Sequence, residues 1–439
     1  MSRTALEGGV ALVGSQESPL SALQKRALTK TAWQLVPILT IAYLFNYLDR
    51  TAVGFAALRM NQDLGLTNTQ FGLAAGFFFI SYTLCEVPSN LALYRFGARR
   101  WIARIMISWG LVSAAMAFVT GPTSLYWMRF LLGVAEAGFF PGIAFYLSAW
   151  FPREYRTRML AWFLVGIPAS AAIGGPLCIA LLQMDGIFGL AGWKWLFIMV
   201  SLPSVVLGFL VLKLLSDRPD DAPWLTREES GALKKMLAAE VHDRPKTSVI
   251  GALTDPRVLI LAVVQFGFTL GSYGIGIWMP LILKEFGIRD MEIAFLLFVP
   301  YFIAILGMLA WAWYADRTGR KISNLALACF LTAIGLTAYT ASESLTFSLI
   351  NLTLALVGVT AARGIFWAIP PRILTGVAAA GGIAFINTIG TAGGFVGPYM
   401  MGFLRDATGS FTAGILVMAG VMVITTALAA SLKLLVRQE

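Results

Sequence analysis

The chain has 439 residues, of which 58% are hydrophobic and only 13% charged, with a formal net charge of +10. A soluble globular domain carries about 25% charged residues and does not need apolar runs of about twenty, the length that crosses roughly 30 Å of hydrocarbon. A soluble enzyme is therefore excluded. The positive charge implies contact with anionic lipid and needs no nucleic-acid partner.

Apolar runs predict twelve membrane-spanning helices. In chain order they are 33–58, 69–93, 101–120, 123–149, 157–184, 193–215, 256–284, 291–314, 322–341, 344–370, 375–402 and 410–435. Each must satisfy its own backbone in lipid, which favours helices, and none shows the short alternation of a barrel strand. Residues 1–32 read as a polar tail, 33–215 and 256–435 as two six-helix bundles, 216–255 as a linker and 436–439 as a second tail. Thr226 and Glu229 have capping-box spacing, so a short amphipathic helix is expected in the linker.

Lys and Arg alternate between loops. One side carries Lys25, Arg26 and Lys30, then Arg95, Arg99 and Arg100, then Arg153, Arg156 and Arg158. The linker, Arg317, Arg320, Lys321, Arg372, Lys433 and Arg437 follow on that side, and the opposite loops carry few. The positive-inside rule makes the rich side, and with it both termini, cytoplasmic. Cys85, Cys178 and Cys329 fall inside spans and match no metal motif. The lone His242, in the linker, reads as solvated.

The halves look duplicated. Arg95 and Gly97 follow the second span; Asp316, Arg317, Gly319 and Arg320 follow the eighth. Arg95 lies 222 positions before Arg317, and Pro176 lies 222 before Pro398. Tyr94 stands where the first copy of the loop lacks its acid. Parallel repeats around a central site are one plan of secondary transporters.

Charges inside spans cost at least ~2.5–3.5 kcal/mol at the helix centre, which makes them functional candidates. They are Asp49 and Arg50 in the first span, Glu86 in the second, Arg129 and Glu136 in the fourth, and Arg363 in the tenth. Arg129 and Glu136 are seven apart and share a helix face. Asp49 and Arg50 point about 100° apart. Two readings stay open: ion pairs that lock helices together, or a transport site. Glu86, close to a basic loop, reads as structural. For a site, the ionised acids Asp49 and Glu136 neutralise Arg50 and Arg129. Protonation then frees the guanidinium forks for a carboxylate. No His lies in a span, no nucleophile with its base is found, and no phosphate-binding loop points to ATP, so neither an enzyme nor a bound cofactor is expected.

The loop Asp316-Arg317-Thr318-Gly319-Arg320-Lys321, the twelve spans and the long linker resemble the major facilitator superfamily. Asn46-Tyr47-Leu48-Asp49-Arg50, the string from Arg129 through Glu136 to Pro141-Gly142, Phe366-Trp367 and Ile386-Asn387 are similar to its anion:cation symporter family. The resemblance covers essentially the whole chain. It implies uptake of an organic anion such as tartrate, an aromatic acid or a sugar acid by alternating access, with protons as the coupling ion. It implies proton-coupling roles for Asp49 and Glu136. Substrate or coupling roles follow for Arg50, Arg129, Tyr47, Tyr82, Trp367 and Asn387, and a conformational role for the Asp316–Lys321 loop with its partner at Arg95 and Gly97. Exchange or efflux on the same fold is the alternative.

Arg363 departs from that pattern. It sits one turn before Trp367, where it can meet a second carboxylate, reach the interface or pair with another acid. Ala52 and the stretch Val165–Ser170 give a less polar wall than a sugar acid would want. Gly271, Gly274, Gly276 and Pro280, and likewise Gly393, Gly394, Gly397 and Pro398, are candidate bending points. A multi-pass protein of a bacterial inner membrane, acting as a monomer, is expected.

Overall fold

The computed structural model describes residues 21–239, 254–342, 344–374 and 376–435; His242, Arg244, Lys246 and Arg437 lie outside them. Regular structure among the described residues is helical throughout. The first half comprises α1 (Ala22–Asp63), α2 (Asn68–Phe96), α3 (Ala98–Ala115), α4 (Pro122–Glu136), α5 (Phe139–Trp150), α6 (Arg153–Leu164), α7 (Gly166–Leu182) and α8 (Gly192–Leu214). A short helix α9 (Arg227–Ala239) follows. The second half comprises α10 (Pro256–Lys284), α11 (Asp290–Thr318), α12 (Lys321–Tyr339), α13 (Leu345–Phe366), α14 (Pro370–Ile373), α15 (Gly376–Thr408) and α16 (Thr412–Leu435). With α4–α5, α6–α7 and α13–α14 each counted as one pass, these make six passes per half, twelve in all. Among the described residues nine helices are long and apolar enough to cross a membrane by length and composition alone. The other three passes carry Asp49-Arg50, the break at Val165, and Asn387.

Several helix boundaries differ from expectation, among them the break at Val165 inside the fifth span, expected as one helix over 157–184. The first helix begins at Ala22, well inside the expected polar tail. Ser21 and Gln24 form a reciprocal capping box there, Gln24 N donating to Ser21 Oγ at 3.2 Å and Ser21 N to Gln24 Oε1 at 2.8 Å. The added turns pack on α9, where Glu229 is held by Lys30 at 2.7 Å and Arg26 at 3.3 Å. The fourth pass, expected as one helix, breaks after Glu136. Gly138 takes φ +85°, and a Cβ there would meet Ser89 Oγ at 2.5 Å. Ser89 Oγ donates to the freed Ala137 carbonyl at 2.6 Å and accepts from Trp101 Nε1 at 3.0 Å. The tenth pass leaves regular helix at Phe366, so Trp367 is its cap.

Between the halves, α1 packs on α10, α2 on α15 and α7 on α11. The approach is close because glycine permits it: a Cβ on Gly54 would lie 2.5 Å from the Ile277 carbonyl oxygen, and one on Gly72 2.4 Å from that of Pro398. On the side away from the basic loops the halves are tied by charge. Asp406 of α15 accepts from Asn68 N (3.2 Å), Asn68 Nδ2 (2.8 Å), Thr69 N (2.7 Å) and Thr69 Oγ1 (2.6 Å), capping α2 from the other half. Arg59 reaches Asp290 at 3.2 Å and donates to the Leu182 carbonyl at 2.9 Å.

On the basic-loop side the two copies of the loop motif differ chemically. In the second, Asp316 pairs with Lys321 at 2.9 Å, Arg317 lies 5.3 Å from the Trp313 ring, and Gly319 ends α11 at φ +71°. The Arg320 carbonyl accepts from Asn324 Nδ2 at 2.7 Å. In the first, Arg95 covers the Phe96 ring at 5.5 Å and Tyr94 is 80% exposed. No acid stands at Tyr94, but Asp217, just after α8, accepts from Arg99 N in the first turn of α3 at 2.8 Å, beside Gly97 (φ +89°).

Candidate functional site

Tyr47, Asp49 and Arg50 leave α1 in three directions. Asp49, 2% exposed, faces into the first half. It accepts from Ser113 Oγ on α3, and from Ser201 Oγ on α8 at 3.3 Å, while its second oxygen accepts nothing among the described residues. Hydroxyls hold Asp49 directly, and Arg129 acts on it from a distance without an ion-pair contact. A hydroxyl rotor donates to a carboxylate or accepts from a protonated acid, so this setting suits either form.

Arg50 faces the second half. Its Nε donates to Glu136 Oε1 at 2.5 Å and its Nη1 to Tyr273 OH on α10 at 3.3 Å. Its guanidinium carbon lies 4.9 Å from the Tyr82 ring and 5.2 Å from that of Phe78. Glu136 is fully buried, and its other oxygen has no partner among the described residues. Removing one member of such a buried pair costs about 3–5 kcal/mol because the other charge is left uncompensated. Arg129, one face along α4, is also buried. It donates to the Ala75 carbonyl at 3.5 Å and lies 5.1 Å from the Phe78 ring, with no carboxylate paired to it among the described residues. Glu136 thus neutralises Arg50, and Arg129 is not neutralised directly.

Arg363 meets no acid among the described residues either, so neither the expected interface position nor an ion pair describes it. Its Nη1 donates to Tyr47 OH, its Nη2 to Ser272 Oγ at 2.8 Å, and its guanidinium carbon lies 5.7 Å from the Tyr273 ring. It lines a cavity of about 110 Å³ between the halves, bounded by α1, α7, α10, α11 and α13. Tyr47, Ser272, Tyr273, Tyr301 and Thr360 supply hydroxyls, Phe55, Phe298 and Met308 supply apolar wall, and Arg363 is the only charged residue in its lining.

The remaining candidates sit apart from this cavity. Trp367 packs edge-on to Phe366 at 5.3 Å. Asn387 donates to both oxygens of Glu86, at 3.0 and 3.2 Å, and accepts from Gln265 Nε2 at 3.2 Å. Glu86 accordingly bonds across the halves to an amide, and among the described residues it forms no ion pair with the nearby basic loop. Sequence reasoning missed Ser272, Tyr273, Ser113 and Ser201. The flanking glycines of α10 mark the first two as unusual; nothing in a serine's local sequence marks the others.

Two six-helix halves meeting at buried, unequally paired charges define a membrane carrier rather than an enzyme. The chain belongs to the Major Facilitator Superfamily, whose family model matches residues 39–398 and 261–439. It is 48% identical over 408 residues to a "Putative tartrate transporter" of Agrobacterium vitis, covering 92% of this chain and 91% of that protein. It is 42% identical to a "Quinolone resistance transporter" of Acinetobacter baumannii, covering 91% of this chain and 93% of that protein. Among solved structures it is similar in fold to the xylose transporter XylE from E. coli in a partially occluded inward open conformation. That likeness has a TM-score of 0.71 at 12% identity and covers 90% of this chain and 98% of that one.

Proposed function

We propose that the protein carries a small organic anion into the cell together with protons, by alternating access between its two halves. The observation that carries this reading is the buried Arg50–Glu136 pair, 2.5 Å long, touching Tyr273 of the opposite half. Protonating Glu136 leaves Arg50 as an uncompensated buried cation, and an arriving carboxylate restores neutrality. Proton and anion therefore favour each other's binding, which is the thermodynamic content of symport. Asp49, held by two hydroxyls, is the second proton carrier. Arg129, which makes no direct ion pair among the described residues, is balanced at a distance by Asp49, so protonating Asp49 adds to the pull on an anion. The similarity to a protein named as a tartrate transporter supports a carboxylate as substrate.

The positive-inside rule places the basic loops in the cytoplasm. Asp406 and Arg59 then close the outer side, with the protein multi-pass in a bacterial inner membrane. Efflux or exchange is the second reading, favoured by the apolar cavity wall and by similarity to a protein named for quinolone resistance. The cavity of about 110 Å³ is smaller than the roughly 300–1,000 Å³ that drug-sized ligands take, which supports a compact solute without deciding its direction. Uptake of radiolabelled tartrate into liposomes, with and without an inward proton gradient, tests the proposal. Gradient-driven accumulation is expected; uptake indifferent to the gradient refutes it.

A further inference from the structure

Ser272 and Tyr273 are adjacent on α10, yet each meets a different arginine. Ser272 Oγ accepts from Arg363, and Tyr273 OH accepts from Arg50. The hydroxyls that Arg363 binds, Tyr47 and Ser272, occupy its Nη1 and Nη2. Those two nitrogens form one edge of the guanidinium fork, the edge that a planar carboxylate takes bidentately. A hydroxyl is a neutral acceptor and a weaker partner there than a carboxylate. Tyr273 stands between the cavity and the Arg50–Glu136 pair, for Arg50 is not part of the cavity lining.

We propose that Arg363 is a carboxylate-binding subsite of the second half, with Tyr47 and Ser272 as placeholders, and that the substrate is a compact dicarboxylate whose second carboxylate reaches Arg50 past Tyr273. The charges set an order. Arg50 is already neutralised by Glu136, so the empty cavity offers one net positive charge, that of Arg363. A monoacid satisfies it without any proton. A diacid needs a second cation, which Arg50 supplies only when Glu136 is protonated. The groups facing Glu136 are Arg50 and Asp49 from α1, Tyr82 from α2 and Arg129 from its own helix; Tyr273 from α10 reaches it through Arg50. Tyr273 is a positioning residue: its hydroxyl must leave Arg50 for the second carboxylate to arrive. The apolar wall of Phe55, Phe298 and Met308 admits the carbon chain but offers no further cation, which separates diacids from triacids.

This inference rests on the organic-anion reading above, and its test separates the two. Binding of tartrate is compared with binding of threonate, which has the same four carbons but one carboxylate. The full-length protein in liposomes is used, at acid and neutral pH. Wild type is expected to prefer tartrate, more strongly at acid pH. Arg363→Gln should weaken tartrate by about 30-fold or more and erase its preference over threonate. Arg363→Lys keeps the buried charge without the fork, so it guards against misfolding and should retain part of the preference. Wild type that accumulates tartrate, with the diacid preference intact in Arg363→Gln, overturns the subsite. Wild type that binds neither acid overturns the organic-anion reading itself.

Discussion

At the residue scale, the first span divides its labour among three consecutive helix faces. Asp49 is sealed with two serines, Arg50 is paired across to Glu136, and Tyr47 reaches Arg363. On the proposed symport, coupling turns on which carboxyl holds a proton. Glu136→Gln should abolish gradient-driven accumulation, because its amide cannot cycle a proton; counterflow exchange should persist. Against a gradient of roughly one pH unit, each coupled proton gives about tenfold accumulation, so the loss is measurable in a tracer assay. Asp49→Asn can still accept from Ser113 and Ser201, so it should fold normally and lower the accumulation ratio without abolishing binding. Normal accumulation in both variants would refute the coupling roles. The acids and arginines were legible in the sequence because lipid tolerates few charges. Their pairing was not, since Glu136 and Asp49 are alike by sequence and only packing decides which meets Arg50.

At the element scale, the break after Glu136 fixes where that acid ends its helix. Gly138→Ala should destabilise the protein by about 1–3 kcal/mol, the cost of a side chain in a left-handed conformation against a filled space. Ser89→Gly alone should also destabilise, because it unpairs the Ala137 carbonyl and Trp101 Nε1. The two changes together should cost less than the sum of each in a thermal-melt assay, since the new Cβ then has nothing to strike at Ser89. Hydrophobic runs located the spans but not this break, since Ala137 to Gly142, after Glu136, reads as continuous apolar sequence. The early start of α1 was hidden likewise: a capping box and a partner some two hundred residues away outweigh local polarity. That partner, Glu229, has its carboxyl held below the ordinary glutamate range by Lys30, the Thr226 backbone and Arg26. A lowered folded-state value contributes stability above the unfolded value, lost as pH falls through the folded one. Glu229→Gln should therefore lower the melting temperature at neutral pH, and the gap to wild type should close in acid.

At the scale of the whole molecule, the duplicated plan was readable from paired motifs, and so was the asymmetry of charge between halves. What could not be read was contact at a distance: Asp217, more than a hundred residues along the chain from Tyr94, caps the first turn of α3 at the first-half loop. The described part of the linker belongs to the first half, for Trp224 stacks on Trp150 at 5.8 Å and Tyr146 OH donates to the Ser216 carbonyl at 2.6 Å. The halves are joined most firmly on the face opposite the basic loops. Asp406→Ala should speed amide exchange over the first turn of α2 by about tenfold or more, a measurement that reports opening of that face.

That aspartate also bears on how easily the carrier turns over. It supplies the first turn of α2 with acceptors that belong to the other half, and water can supply the same turn when the halves part. Separation there exchanges one set of hydrogen bonds for another, a trade whose net free energy is small. On the proposed alternating-access cycle this contact therefore adds little to the free-energy difference between the two orientations, and the direction of net travel is left to the gradients of substrate and protons.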